Sequence, residues 1–270
     1  MDSDEAFKQL ERIGKEHMEK WGSQQKTFDE LDAFEALRDF IRYGFYRNRT
    51  DELAGRYIKY AHDAFSDVSQ ALENPKERVR LLAKKKNDLV NSFKNKVGLA
   101  FPYSKAKGIH PIDIKFLESV CNDFVPSLSK YNYHVRKLCR FYFKKGNLES
   151  LSKCFKSVNG VGQKIASLYL RDMLMLYERS SEVEKLTDKL TREEMLLVYP
   201  IDTWVKQISK RLLREKKDEK EIASLIIEKC ENLGVSALFV NHGIWYLGAK
   251  SIDFILDNLD RIEMLKVEST

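Results

Sequence analysis

A glycine-rich segment at residues 157–164 combines a tight turn with an amine. Its sequence, Ser-Val-Asn-Gly-Val-Gly-Gln-Lys, lies between two stretches whose apolar residues have helical spacing. The glycines at 160 and 162 allow positive φ angles, and the amides that open the next helix can hold a phosphate. A dinucleotide-binding turn is excluded because no strand precedes the glycines. An ordinary helix–helix turn without a ligand stays open.

Lys164 and Asp202 are the two side chains near this pattern that could do chemistry. Lys164 falls in the first turn of the helix after the glycines, where its amine would lie close to a bound DNA backbone. An amine there can be a nucleophile, and the alternatives are a phosphate contact or a plain surface lysine. Asp202, in the segment Tyr-Pro-Ile-Asp-Thr-Trp-Val at 199–205, is typical of a helix N-cap. A capping carboxylate could also stabilise positive charge on a deoxyribose as its base leaves.

The elements around these residues are predicted to be helices. Apolar residues recur with helical spacing along most of the chain, and no run alternates with a period of two. This predicts an all-α fold of about a dozen helices. Helices at 148–155 and 163–177 flank the glycine turn, capping boxes at 27–30 and 191–194 open two further helices, and 91–111 is predicted to be a connector.

Composition indicates a globular protein. The chain has 270 residues, 43% hydrophobic and 33% charged, which is enough for one large domain or two smaller ones. The net charge of +6 is compatible with a polyanionic partner but is shared by many proteins without one. Basic runs at 84–86, 136–145 and 206–217 raise the odds of a nucleic-acid surface only slightly.

The cysteines and histidines do not form a metal-binding pattern. The four cysteines (Cys121, Cys139, Cys154 and Cys230) include no Cys-x-x-Cys pair, and the five histidines are scattered. We therefore expect no metal site, no iron–sulfur cluster and no other cofactor. The acidic start of the chain and the lack of an apolar run of about 18 residues predict an intracellular protein without a membrane partner. In a prokaryote its place would be the cytoplasm or nucleoid.

Two segments resemble motifs of the helix-hairpin-helix (HhH-GPD) DNA glycosylase superfamily, which includes endonuclease III and the 8-oxoguanine glycosylase/lyases. Val-Asn-Gly-Val-Gly-Gln-Lys-Ile-Ala at 158–166 is similar to the family pattern apolar-x-Gly-x-Gly-x-Lys-x-Ala. Pro-Ile-Asp-Thr-Trp-Val at 200–205 is similar to the Val-Asp-x-His-Val segment that carries the catalytic aspartate. The continuation Ala-Ser-Leu-Tyr-Leu-Arg-Asp at 166–172 looks closest to the prokaryotic 8-oxoguanine glycosylases.

The resemblance implies a fold and an activity. The fold would have two helical subdomains flanking a DNA-binding cleft. An N-terminal extension at 1–25 would precede a glycosylase fold at 26–270, in which a middle barrel at about 45–177 is one subdomain and the N- and C-terminal helices form the other. Lys164 would be the Schiff-base nucleophile and Asp202 the catalytic carboxylate of a bifunctional DNA glycosylase/AP lyase. The enzyme would act in base excision repair, as a monomer, on damaged double-stranded DNA, with 8-oxoguanine the favoured lesion. The residues expected to contact DNA are Asn159, Gly160, Val161, Gly162, Gln163, Arg47 and Arg49.

An enzyme of this family would extrude the damaged base from the duplex into a pocket. Such a pocket needs a surface on which the base can stack and a few hydrogen-bonding groups. The candidates for this pocket are Phe45, Tyr46, Asn48, Trp204, Asn241, His242 and Trp245. Core packing is the alternative for the aromatic residues.

Two features depart from the family pattern. Trp204 stands where the family has His, and Asp202 follows Lys164 by 38 residues, about twice the expected spacing. The excess falls in 178–199, a charged segment suited to an extra turn and helix. A different class of function, a non-catalytic helix-hairpin-helix DNA-binding module with Lys164 as a phosphate clamp, stays open.

Overall fold

The computed structural model describes residues 3–46, 51–100, 109–180, 186–213 and 218–257. Helices joined by turns account for these ranges, and no strand occurs within them. The all-α class predicted from apolar spacing is therefore confirmed. None of the helices described has the combination of length and apolar character that crossing a membrane requires.

The chain divides into two compact units. One comprises Met1–Lys26 together with Lys185–Thr270, and the other comprises Thr27–Glu184. These are called the terminal unit and the central unit. The N-terminal residues, expected to be an extension outside the fold, form part of the terminal unit because Phe7 and Leu10 are completely buried in its core. The central unit begins earlier than the barrel expected at about 45–177.

The central unit contains the glycine turn. Its helices are α2 Ala33–Gly44, α3 Asp51–Ser69, α4 Pro75–Lys84, α5 Lys86–Ala100, α6 Pro111–Ser119, α7 Val125–Ser127, α8 Val135–Lys144, α9 Leu148–Lys156 and α10 Gln163–Ser180, with a π-helical turn at Val120–Phe124 and a 3-10 turn at Leu128–Tyr131. Its core is rich in aromatic rings: Phe40 packs against Phe155 at 5.3 Å between ring centroids and against Tyr169 at 5.1 Å. These contacts join α2 to the two helices that flank the glycine turn.

The terminal unit contains Asp202. It consists of α1 Ser3–Gln24, a 3-10 turn at Leu186–Lys189, α11 Arg192–Val198, α12 Thr203–Leu213, α13 Glu219–Leu233 and α14 Ala237–Asp257. The capping box predicted at 191–194 is present, since the Thr191 hydroxyl accepts the Glu194 amide while the Glu194 carboxylate accepts the Thr191 amide. Arg192 of α11 binds Glu228 of α13 at 2.7 Å. The charged segment at 178–199 thus supplies a turn and a short helix, and that helix packs on α13.

Three of the four cysteines are buried core residues. All four are free thiols, and Cys121, Cys139 and Cys230 are buried. Burial raises the pKa of the Cys121 and Cys230 thiols to about 12 and that of Cys139 further. These three side chains therefore remain protonated and pack as small apolar groups.

Two glycines allow α1 and α14 to approach until their backbones touch. A Cβ added at Gly14 would lie 2.7 Å from the amide nitrogen of Gly243 and closer still to the carbonyl oxygen of Phe239. A Cβ at Gly243 would in turn overlap the carbonyl of Leu10. Because the obstructing atoms are backbone atoms on both sides, no side-chain rotation can relieve the overlap.

Gly14→Ala should therefore destabilise the terminal unit by about 3 kcal/mol, the upper part of the usual range for overpacking. The measurement is thermal and urea-induced unfolding followed by circular dichroism. Gly55→Ala in α3 is the control, because a Cβ there meets nothing within 4 Å and should raise stability by about 0.5–1 kcal/mol. Equal unfolding midpoints for Gly14→Ala and the wild type would contradict this account of the helix contact.

Candidate active site

The turn between α9 and α10 is closed by backbone hydrogen bonds and two buried valines. The Val158 amide donates to the Phe155 carbonyl at 3.1 Å, and the Val161 amide donates to the Val158 carbonyl at 2.9 Å. Both valine side chains are buried. Gly160 has φ +85°, the left-handed conformation expected of a glycine in such a turn, whereas Gly162 does not. The two glycines therefore have different roles.

A serine from α6 holds the turn in place. The Asn159 amide donates to the Oγ of Ser119 at 3.1 Å. Ser119 is buried and its hydroxyl donates to Asp123 at 2.9 Å, so this oxygen is fixed from both sides. The sequence did not point to Ser119, because it lies 40 residues before the turn in a helix whose pattern gives no sign of this contact.

The first turn of α10 presents amides and an exposed amine. The Gly162 carbonyl accepts the Ala166 amide at 3.0 Å, which makes Gly162 the N-cap of the helix. The amides of Gln163, Lys164 and Ile165 precede this first intrahelical bond and have no acceptor within the helix. The side chains of Gln163 and Lys164 are exposed. Amide donors at the positive end of an 18-residue helix and an adjacent amine form a suitable site for a phosphate.

Gly162 faces open space. Its φ angle does not require glycine, and a Cβ added there would meet nothing within 4 Å. Neither the backbone conformation nor packing within the described chain accounts for glycine at this position. A ligand backbone that came close to these amides would account for it.

Gly162→Ser should weaken DNA binding without destabilising the fold. Serine is preferred over glycine at N-caps, so the free energy of unfolding should stay the same or rise slightly. The added side chain would displace a bound phosphate from the amides, and DNA affinity should fall about tenfold or more, the worth of one charge-assisted hydrogen bond. Fluorescence anisotropy with duplex DNA measures this loss. Wild-type affinity in the variant would show that Gly162 does not lie against DNA.

A buried polar network holds α10 against α2. The Tyr43 hydroxyl donates to Asp172 at 2.8 Å, and Arg171 pairs with the same carboxylate at 2.8 Å. Burial, and then the charge of Asp172, raises the pKa of the Tyr43 phenol well above its usual value, so that this group remains a proton donor. The helix that begins at the glycine turn is thereby fixed to α2 near its middle.

Positive charge is concentrated around the turn. Residues 125–164 contain nine Lys and Arg residues and a single carboxylate, Glu149, for a net charge of +8. Since the whole chain has a net charge of +6, the remaining residues have a net charge of −2. The exposed lysines of this stretch are Lys130, Lys137, Lys144, Lys145, Lys153, Lys156 and Lys164. Such a charge distribution is suited to a polyanionic ligand.

Asp202 is the N-cap of α12. Its carboxylate accepts the Val205 amide at 2.8 Å, and its carbonyl accepts the Lys206 amide at 3.0 Å. The side chain is half-buried. The structure thus shows the capping role that the sequence indicated. The second carboxylate oxygen is not used in the bond to Val205.

Lys164 belongs to the central unit and Asp202 to the terminal unit.

Asn241 of α14 holds the segment that leads into Asp202. This fully buried side chain donates through Nδ2 to the Pro200 carbonyl at 2.9 Å. Pro200 is buried and its neighbour Tyr199 is 3% exposed. Asn241, proposed from the sequence as part of the base pocket, therefore acts on the backbone two residues before Asp202.

The other pocket candidates of the terminal unit also lie on or against α14. Trp204 is half-buried, and a Cβ at Gly248 would lie 2.6 Å from its Cβ and Cγ atoms. His242 is buried, with its Nε2 2.9 Å from the Nδ1 of His17. Trp245 is half-buried, with its ring centroid 5.8 Å from that of His242. His17 was not predicted, because nothing in its local sequence indicates this partner.

The pocket candidates of the central unit are placed differently. Phe45 is completely buried, with its ring centroid 5.7 Å from those of Phe93 and Phe116. It is a core residue, the alternative that the sequence left open. Tyr46 is half-buried. The remaining candidates lie outside the residues that the structure describes; they are Arg47, Asn48 and Arg49.

No group of His, Cys, Asp or Glu side chains suited to holding a metal ion occurs in the described ranges.

Comparison of the chain with protein-family models, with curated proteins and with solved structures gives no match. The resemblance to the helix-hairpin-helix glycosylases stays a prediction that rests on the two sequence motifs.

Proposed function

We propose that this protein is a base-excision-repair DNA glycosylase with AP lyase activity, and that 8-oxoguanine in duplex DNA is its favoured substrate. The observation that carries the proposal is the start of α10. There an exposed lysine follows a glycine N-cap that neither its φ angle nor packing in the described chain requires. The turn at 157–162 would then be a helix-hairpin-helix motif.

The local charges support DNA as the partner. The turn lies within a stretch of net charge +8 whose lysines are all exposed. Amides and amines of this kind bind phosphates regardless of sequence, so they would hold the duplex in place without identifying the lesion. Recognition of the lesion would then depend on extruding the damaged base.

Lys164 would supply the nucleophile. Its neutral amine attacks C1′ of the damaged nucleotide, and the glycosidic bond breaks as the new C–N bond forms. The base leaves with the bonding electron pair and takes up a proton. Loss of the amine proton and opening of the sugar ring give a Schiff base. Removal of a C2′ proton then expels the 3′ phosphate by β-elimination, which nicks the strand.

Asp202 would supply the negative charge. Its capping bond to the Val205 amide fixes the carboxylate, and Asn241 fixes the segment before it. A rigid carboxylate is suited to stabilising the positive charge that develops on the sugar as the base departs. A carboxylate can also act as a general base.

A panel of end-labelled duplexes tests this function. Each duplex has one lesion, such as 8-oxoguanine, an oxidised pyrimidine, uracil or an abasic site, and base release and strand nicking are measured separately. We expect release and nicking together on the 8-oxoguanine duplex. Tight binding of every duplex without base release from any would instead support the non-catalytic DNA-binding module.

A further inference from the structure

A cluster of three aromatic rings lies on α8 and the 3-10 turn that precedes it. The ring of Phe141 is 5.3 Å from that of Tyr131 and 5.3 Å from that of Tyr142, both in edge-to-face geometry. Phe141 is 39% exposed, and every other Phe, Tyr or Trp side chain whose burial the structure describes is less exposed than this one. Tyr131 and Tyr142 are half-buried and support it.

A lysine covers part of this cluster. The Nζ of Lys145 lies 4.2 Å from the centre of the Phe141 ring, within the range of a cation–π contact. These four side chains, Tyr131, Phe141, Tyr142 and Lys145, are called the α8 aromatic surface.

Cations surround the α8 aromatic surface, and carboxylates are almost absent from it. Lys130, Lys137 and Lys144 are exposed on the same two elements, and residues 125–148 contain no Asp or Glu. The nearby Arg140 pairs with Asp29, which leaves the lysines to set the charge of this surface. An apolar protein partner is disfavoured because burying these amines would remove them from water without a counter-charge.

Single exposed aromatic residues are common and need no function. The arrangement on α8 differs because an exposed ring is held by two others and bordered by several amines. Proteins that bind unpaired nucleic acid combine these same features: bases stack on the rings while the backbone phosphates follow the cations. Paired bases in a duplex offer no free face to such a ring.

We propose that the α8 aromatic surface binds single-stranded DNA, with a base stacked on Phe141 and the flanking phosphates paired with Lys145 and its neighbouring lysines. This binding goes beyond the proposed glycosylase activity and does not depend on Lys164 or Asp202. It gives the central unit a second contact with DNA wherever a strand is unpaired.

Fluorescence anisotropy with a lesion-free oligothymidylate tests the proposal on the full chain. Phe141→Ala should weaken binding by about 5- to 150-fold, the effect of losing one base–aromatic contact. Phe141→Leu should weaken it similarly, because leucine keeps the apolar bulk but lacks the ring. Phe141→Trp should retain the affinity. Lys145→Ala should weaken binding and reduce its dependence on salt.

Two control variants remove an exposed apolar side chain and an exposed lysine elsewhere in the central unit. Leu99→Ala removes a side chain that is 83% exposed on α5, and Lys94→Ala removes one exposed lysine of the same helix. Both should bind the oligonucleotide as the wild type does. Unchanged affinity in Phe141→Ala, or an equal loss of affinity for a duplex of the same length, would overturn the proposal. Nicking by the wild type on lesion duplexes is a separate readout, so either proposal can fail alone.

Discussion

Lys164→Gln should leave a lesion-containing duplex bound but uncut. The substitution removes the amine that would form the Schiff base and keeps a polar side chain of similar length at an exposed position, so the fold should not change. Loss of a covalent nucleophile should lower the rate of strand nicking by on the order of a thousandfold or more. Single-turnover nicking of an 8-oxoguanine duplex, with affinity measured in parallel, gives the result.

Lys156→Gln is the matched control for this variant. Lys156 is also exposed, belongs to the same positive stretch and lies within 3.1 Å of the Gln163 side chain. Its loss removes the same charge close to the turn without removing the proposed nucleophile. We expect slightly weaker binding and normal nicking at saturating enzyme. Equal defects in the two variants would mean that Lys164 acts only through its charge.

Asp202→Asn should slow base release by about 10²- to 10⁴-fold, the usual contribution of a positioned acid–base group. Asparagine caps a helix as well as aspartate does, so the bond to the Val205 amide and the stability of α12 should be kept. Binding of duplex DNA should change little. The substitution removes the negative charge of residue 202 but keeps its capping hydrogen bond. A large loss of the base-release rate with normal thermal unfolding would therefore show that the charge of the carboxylate takes part in the reaction.

Asp218→Asn provides the corresponding control. Asp218 caps α13 in the same unit, and its carboxylate accepts the Glu221 amide at 2.9 Å. The same change at this equivalent cap should leave base release at the wild-type rate. Full activity in Asp202→Asn would remove the assigned role, and equal defects in both variants would indicate a general effect of lost negative charge.

Local patterns were sufficient to predict the parts of the fold that depend on local chemistry. The glycine turn lies between helices as expected, α10 begins at Gln163, and the Thr191 capping box is formed. The Asp202 cap also follows from residue type alone. In each case the determining interaction joins residues no more than four positions apart, which a single sequence displays directly.

Boundaries that depend on tertiary packing were predicted less well. The capping box expected at 27–30 does not open α2, which instead begins at Ala33 with Asp32 as its cap and Glu35 completing the box. The connector expected at 91–111 was wrong over its first part, since α5 continues to Ala100 through Gly98.

The residues that support the candidate site are fixed by contacts between distant parts of the chain. Ser119 reaches the turn across 40 residues, Asn241 reaches Pro200 across 41, and His17 reaches His242 across 225. No spacing rule connects such pairs. Burial of Phe45 is likewise decided by Phe93 and Phe116, which its local sequence does not indicate.

Borohydride trapping tests the central claim most directly. Wild-type protein is mixed with an 8-oxoguanine duplex in the presence of borohydride, and the covalent complex is digested and mapped by mass spectrometry. The account predicts a reduced adduct between a deoxyribose fragment and the side chain of Lys164, and no adduct in Lys164→Gln. No covalent complex with any duplex of the lesion panel, or an adduct at a different lysine, would contradict it.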